Sequence, residues 1–347
     1  MISERPVFQL FPELSTLLPV DQCALLPTPV QPLPIREKAW IKRDDLTHTE
    51  YGGNKIRKLE FIVADARQRQ AKRIVTFGAI GTNHGVATAM MCQKYGLDCI
   101  IYLFDQPVTA TVSQNLRLMQ GYGARLVYKK SLFRAAKAYY LNPYRLLPGS
   151  YFLFAGGSNL YGTLGYLNAA FELQQQIDNG DCGAIKKIFC PVGSSATLAG
   201  LTYGFQLLES EIQVVGVRVV QETLGPFQAC TQDTVYQLML QAQVYLQQHS
   251  RQTLAPPKQP TLLGDYFGDG YGVATKAGVA AIERFAAEGI KLEQTYTGKA
   301  AAAFLDALQQ SDDNCLFWNT YNSRGMSQYL QRASNQDLPS VLQPFAQ

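Results

Sequence analysis

Lys55 follows Gly52, Gly53 and Asn54 and precedes an amphipathic run that starts at Ile56. Two glycines permit an abrupt turn, so the lysine stands where the chain enters a helix and presents its amine. Such an amine acts as a nucleophile only when desolvation or neighbouring positive charge lowers its pKa, and Arg57 and Lys58 supply that charge. Read alone, a first-turn lysine is more often a solvated surface group.

A second segment, Cys190-Pro191-Val192-Gly193-Ser194-Ser195-Ala196-Thr197, reads as a strand end, a loop of small residues and a helix start. The backbone N–H groups of Gly193, Ser194, Ser195, Ala196 and Thr197 can converge there on a phosphate monoester, aided by the helix dipole. A tight strand-to-helix turn with no ligand has the same composition. Neither the nucleotide P-loop nor the GxGxxG fingerprint is present. A third segment around Gly81 carries Thr82, Asn83 and His84 at another helix start. That turn suits a substrate carboxylate, with Asn83 able to reach a phenolic oxygen; the commoner use of Thr82 or Asn83 is to cap the helix, and His84 reads also as a hydrogen-bonding neighbour. Tyr271 and Tyr296 lie in glycine-flanked contexts where a phenol can relay a proton or stack on a ring, although most of the 19 tyrosines must be packing groups.

The elements that must position these residues alternate. Strand-like runs at 73–78, 99–104, 125–128, 187–192 and 211–220 are interleaved with helical stretches at 85–95, 111–121 and 197–208. Short apolar strands separated by helices predict parallel sheets buried on both faces, with ligands beyond the carboxyl ends of the strands. At 347 residues the chain is long enough for two domains. The segment 221–263 changes character, Gln-rich and helical over 235–249 and Pro-containing over 255–260, and reads as a helical insertion.

Composition narrows the chemistry further. With 47% hydrophobic and 17% charged residues and no apolar run of bilayer length, a membrane role is not expected. A net charge of +4 without a basic block gives no footprint for nucleic acid. Three histidines without ligand spacing argue against a metal. Seven scattered cysteines and no export signal at the start suit a reducing, cytoplasmic setting. The expected ligand is a small molecule.

Taken in order, the Trp40–Leu46 run (Trp40, Ile41, Lys42, Arg43, Asp44, Asp45, Leu46), the Gly52–Glu60 run, Gly156 to Gly162, the Gly193 loop and Tyr296-Thr297-Gly298-Lys299-Ala300 resemble the 1-aminocyclopropane-1-carboxylate deaminase/D-cysteine desulfhydrase family, from about residue 7 to 325 and broken mainly by 221–263. The resemblance implies an α/β protein of two open parallel-sheet, three-layer domains, tryptophan-synthase-β-like, the second fold type of pyridoxal-phosphate enzymes. It implies a large cofactor-binding domain at 1–60 plus 170–347 and a small one at 61–169, a homodimer, and pyridoxal 5'-phosphate as cofactor. Lys55 resembles the Schiff-base lysine, and Gly193, Ser194, Ser195, Ala196 and Thr197 the phosphate cup. Asn83 matches the ligand of the cofactor's phenolic oxygen, and Thr82 the family's substrate-contacting serine; the Thr82–His84 turn would take the substrate carboxylate. Tyr271 and Tyr296 match the two active-site tyrosines.

Thr297 stands where the family's deaminases have a glutamate facing the pyridine nitrogen and its desulfhydrases a small hydroxyl residue, and Thr320 agrees with the desulfhydrases. A neutral hydroxyl there makes the cofactor a weaker electron sink, suited to expelling a good β-leaving group. The expected reaction is β-elimination giving pyruvate, ammonia and sulfide from D-cysteine. The alternatives are 1-aminocyclopropane-1-carboxylate deaminase or a cofactor-binding homologue with little turnover. The family reads His-Thr-Gly-Gly where this chain has Asn319-Thr320-Tyr321-Asn322, so Tyr321 is expected near the cofactor ring.

Overall fold

The computed structural model describes residues 5–224 and 227–346. It divides into two compact units, Met1–Phe61 with Asn159–Arg324 and Ile62–Ser158 with Gly325–Gln347.

In the first unit a six-stranded sheet runs Val30–Pro32, Ala39–Lys42, Cys315–Trp318, Lys187–Val192, Gln213–Arg218, Thr261–Leu263. The first pair is antiparallel and the others are parallel. Side chains alternate across a strand, and the two faces show it. Ile188, Cys190, Val192, Leu316 and Trp318 join one core with Tyr166, Leu167 and Leu198 of the helices Leu160–Asp178 and Ala196–Leu207. Phe189, Val215, Val217 and Phe317 join the opposite core with Phe285 and Phe304 of the helices Lys276–Ala287 and Thr297–Gln310. Helices on both faces of a parallel sheet make three layers, as the alternation of short apolar strands predicts.

The second unit holds a four-stranded, all-parallel sheet in the order Arg125–Tyr128, Asp98–Phe104, Arg73–Ala79, Ser150–Phe152. Three of its helices begin at side-chain caps: Thr82 for Asn83–Tyr95, Thr109 for Ala110–Gly121 and Ser131 for Leu132–Tyr140. Such caps satisfy amides that a helix's first turn otherwise leaves without acceptors. The C-terminal segment belongs to this unit, where the sequence reading kept it with the large domain. Its carbonyls explain why: Arg117 donates to Leu330 and Ala333, and the Ser113 hydroxyl donates to Ala346. The segment 221–263 forms the helix Gln232–Ser250 and, at its end, the edge strand Thr261–Leu263, so it returns to the sheet; Gly225 and Pro226, within the expected insertion, lie outside the described residues, as do 1–4 and 347 of the expected domains.

A buried ionic cluster fixes the first unit's lysine-bearing helix, Asn54–Gln68. Arg57 donates through Nε and Nη2 to Asp44 at 2.8–2.9 Å and through Nη1 and Nη2 to Glu172 at 2.9 and 2.8 Å. Lys42 donates to Glu172 at 2.6 Å, while the Tyr166 hydroxyl and the Trp318 indole both donate to Asp44 at 2.7 Å. Two cations and two carboxylates cancel. Burial alone would raise the Glu172 carboxyl, but Arg57 and Lys42 hold it down to about 2. The helix Leu160–Asp178 comes close because residue 165 is glycine: a Cβ there would sit 2.4 Å from the Arg57 carbonyl oxygen.

Candidate active site

Lys55 is the second residue of its helix, and the turn before it is built by backbone contacts that only glycine accepts. Gly53 has φ +101, and a Cβ there would lie 2.9 Å from the Thr320 carbonyl oxygen. Gly52 N–H donates to Asn322 Oδ1 at 2.8 Å and Asn54 N–H to the Thr320 carbonyl at 3.1 Å, so the 320–322 segment clamps the turn. The Lys55 amine donates to Asn54 Oδ1 at 2.6 Å, and Asn54 Nδ2 in turn donates to Thr197 Oγ1 at 3.2 Å. This chain of contacts ties the amine to the loop that ends at Thr197. Burial lowers the Lys55 pKa to about 8, partly offset by the charge of Glu293. A larger share of neutral, nucleophilic amine is therefore present near neutral pH than for an ordinary lysine.

Lys58, one turn further on, is buried; its ammonium donates to Ser194 Oγ at 3.4 Å and lies 5.8 Å from the centre of the Tyr166 ring. Burial, and then the charge of Lys55, push its pKa well down. Two desolvated lysines thus flank the loop Gly193–Thr197, whose helix Ala196–Leu207 starts without a side-chain cap. Two amines, the Ser194 hydroxyl and a helix N-terminus at one point offer donors to an anion.

Tyr271 and Tyr296 meet, their hydroxyls hydrogen-bonded and their rings edge to face with centroids 6.0 Å apart. Tyr296 also lies against the loop, since a Cβ on Gly193 would be 3.3 Å from its Cε1. Burial pushes Tyr271 up to about 12 and Tyr296 well up, so both remain protonated donors at neutral pH. Their positions depend on two groups the sequence reading did not select. The buried Glu293 carboxylate accepts the N–H groups of Thr295, Tyr296 and Thr297 at 2.7–2.9 Å, and burial raises its pKa. The fully buried Lys299 ammonium donates to the Phe267 and Gly270 carbonyls at 2.6 and 3.1 Å, which anchors the residues just before Tyr271.

The Thr297 hydroxyl accepts the Glu293 N–H at 2.8 Å and donates to the Glu293 carbonyl at 3.3 Å, so it helps to close the helix start. Threonine at a helix terminus bonds local backbone readily. Thr320 contributes its carbonyl to the Asn54 turn, and Tyr321 is buried with Lys291 5.5 Å from its ring centre.

In the second unit Thr82 caps its helix, accepting the Gly85 N–H at 3.1 Å. Asn83 Oδ1 accepts from Asn115, which also donates to the Gly81 carbonyl. The buried His84 ring bonds Thr76 at 2.9 Å and Thr88 at 3.4 Å. Its imidazole is thus engaged by the strand Arg73–Ala79 and its own helix.

Across residues 24–320 the chain matches the family of pyridoxal-phosphate dependent enzymes, and it belongs to that family. It is 34% identical to a D-cysteine desulfhydrase of Klebsiella pneumoniae subsp. pneumoniae over 308 residues, 82% of this chain and 87% of the relative. A D-cysteine desulfhydrase of Salmonella schwarzengrund is 32% identical over 312 residues, 83% of this chain and 88% of that protein. A crystal structure of an ACC deaminase homologue superposes with a TM-score of 0.77 at 28% identity, covering 95% of this chain and all of that one. Serine racemase from Dictyostelium discoideum shares the fold at a TM-score of 0.60 and 16% identity, over 86% and 92% of the two chains. The chain is an enzyme of the tryptophan-synthase-β-like fold whose cofactor is pyridoxal 5'-phosphate.

The residues fit that cofactor. An aldehyde requires a neutral amine, which the lowered Lys55 pKa makes more accessible than in an ordinary lysine; a phosphate monoester requires donors and positive potential, and the Ser194 hydroxyl, the Lys58 amine and the uncapped start of Ala196–Leu207 supply them. Lys58 was visible in the sequence only as a neighbour of Lys55; its fixed i, i+3 spacing on a helix that begins at Asn54 was the signal that could have placed it beside the loop.

Proposed function

We propose that the enzyme carries out β-elimination on a small amino acid, D-cysteine foremost, releasing sulfide, ammonia and pyruvate. One observation carries the reading: the Lys55 amine, lowered to about 8, is linked through Asn54 to the Gly193–Thr197 loop. The names of the relatives support the substrate, and the neutral residue at position 297 supports elimination over cyclopropane opening.

Bound pyridoxal phosphate supplies the electron sink for the carbanion at Cα. In this reading Lys55 would hold the cofactor through its aldehyde and would serve as the base for the substrate's Cα proton. Ser194, Lys58 and the backbone of Gly193, Ser195, Ala196 and Thr197 hold the phosphate. Tyr296, fixed by Glu293 and bonded to Tyr271, donates a proton to the leaving thiolate, and Tyr271 replenishes it. A positioned acid of this kind contributes roughly 10²- to 10⁴-fold. Thr82 and the Thr82–His84 turn are assigned to the substrate carboxylate and Asn83 to the cofactor's phenolic oxygen. Thr297 and Thr320 serve the cofactor by shaping the turns around Tyr296 and Asn54.

The proposal divides the work between a large cofactor-binding domain and a small α/β domain. We further infer a cytoplasmic homodimer. Support comes from the family resemblance, from seven buried cysteines outside any disulfide that suit a reducing compartment, and from Phe133, Leu141 and Leu146, exposed together on one stretch of the second unit. Among the described residues no helix is long and apolar enough to cross a membrane. The test of activity is keto-acid release from both enantiomers of cysteine and serine and from 1-aminocyclopropane-1-carboxylate. Pyruvate and sulfide from D-cysteine is the expected outcome; 2-oxobutyrate from the cyclic amino acid with no sulfide release would overturn it.

A further inference from the structure

We propose that Thr234, at the head of the helix Gln232–Ser250, is a positioning residue for the cofactor's phosphate, acting by holding Ser195 in the one strained turn of the loop. The inference rests on the reading of Gly193–Thr197 as the phosphate site. Ser195 has φ +60 and ψ −39, and Ala196 N–H donates back to the Ser194 carbonyl at 2.6 Å. These are the marks of a three-residue turn of the rare sign, a conformation that costs a residue with a side chain roughly 1–3 kcal/mol and persists only where the surroundings enforce it. Glycine would adopt it without that cost. Serine stands here instead, so something must hold it.

The hold comes from outside the loop. Ser195 Oγ lies 3.2 Å from Thr234 Oγ1. Thr234 Oγ1 already gives its hydrogen to the Thr231 carbonyl at 2.8 Å and accepts the Thr231 N–H at 2.9 Å, so Ser195 is the donor in the shared bond. That bond draws the Ser195 hydroxyl away from the helix it precedes, which is why the start of Ala196–Leu207 has no side-chain cap and keeps its first-turn direction for an anion. Cys230 adds a second clasp, its thiol donating to the Val192 carbonyl at 3.6 Å, on the strand that leads into the loop. The clasp is firm because the helix behind it is anchored: Val235, Met239, Ala242 and Leu246 are buried in the same core as Leu198 and Leu201 of the loop's own helix. The segment 221–263, which interrupts the family resemblance, thereby acquires a task. It braces a phosphate loop that has serine where a glycine would need no brace.

The experiment measures pyridoxal-phosphate affinity of the full chain stripped of cofactor, with the ³¹P shift of the bound phosphate as a second readout. Thr234→Val should weaken binding about tenfold, the scale of one lost hydrogen bond at a strained turn, and move the ³¹P signal. Thr234→Ser should restore both. In a Ser195→Gly background, where the turn needs no brace, Thr234→Val should change affinity by less than about twofold on the same energy scale. Wild-type affinity and shift in Thr234→Val would overturn the proposal, and so would an equal loss in both backgrounds, which marks a general effect of the helix. Absence of cofactor binding by the wild-type chain is a different result, and it would overturn the cofactor reading itself.

Discussion

One helix, Asn54–Gln68, feeds two buried polar clusters of opposite design. Arg57 enters a set in which Lys42, Asp44 and Glu172 complete a balance of charge, with every partner within 3 Å. Lys55 and Lys58 enter a set made of hydroxyls, an amide and backbone, where the carboxylate acting on Lys55 is Glu293, a group already engaged by three backbone amides. In the first set the carboxyl of Glu172 is held far below its ordinary range; in the second the amine of Lys55 falls toward neutrality. Burial is common to both, so burial alone does not mark a site. A group whose pKa is displaced toward neutrality does, because it can exchange a proton or react under working conditions.

The sharpest way to break this contrast is to unbalance the balanced cluster. Arg57→Met leaves two buried carboxylates facing one lysine and should cost about 3–5 kcal/mol of stability in urea unfolding; a cost below about 1 kcal/mol would make the cluster an ordinary surface-like network. In the other cluster, Tyr296→Phe should reduce turnover about a hundredfold while cofactor content is unchanged, since it removes a proton donor and no cofactor ligand.

Lys55→Met should do the opposite of Arg57→Met and stabilise the cofactor-free chain. The folded pKa of Lys55, about 8, lies below the ordinary lysine value of 10.5, so between those values the unfolded chain binds the extra proton. Wild-type stability therefore carries the full penalty below pH 8 and sheds it as pH rises toward 10.5. The gain from Lys55→Met should be on the order of 2 kcal/mol at pH 7 and fade at alkaline pH; thermal melts across that range read it, and a gain independent of pH would contradict the sign. The smallest effect is expected from Glu293→Gln. Removing the charge that partly supports protonated Lys55 should lower the pH midpoint of cofactor capture by a fraction of a unit, as followed by absorbance.

Much of this arrangement was legible before any coordinates. The strand-like runs at 73–78, 99–104 and 187–192 match Arg73–Ala79, Asp98–Phe104 and Lys187–Val192, because strands buried on both faces are continuous apolar runs. The small-residue loops stood out for the same reason, as breaks between strand and helix. What stayed hidden were groups whose importance is purely spatial. Glu293 lies four residues before Thr297 in an unremarkable polar stretch, and only the fold wraps three amides around its carboxylate. Thr234 sits 39 positions from Ser195 inside a segment that looked like an excursion from the core. The bond from the Glu293 N–H to the Thr297 hydroxyl was likewise invisible, because type and register do not show which local backbone group a threonine meets.

The lysine itself is the most direct point of attack. Borohydride reduction of the cofactor-loaded enzyme, followed by peptide mapping, should place the pyridoxyl label on Lys55. A label on Lys58, three residues on and also desolvated, would contradict the assignment of nucleophile and phosphate partner on which the account depends.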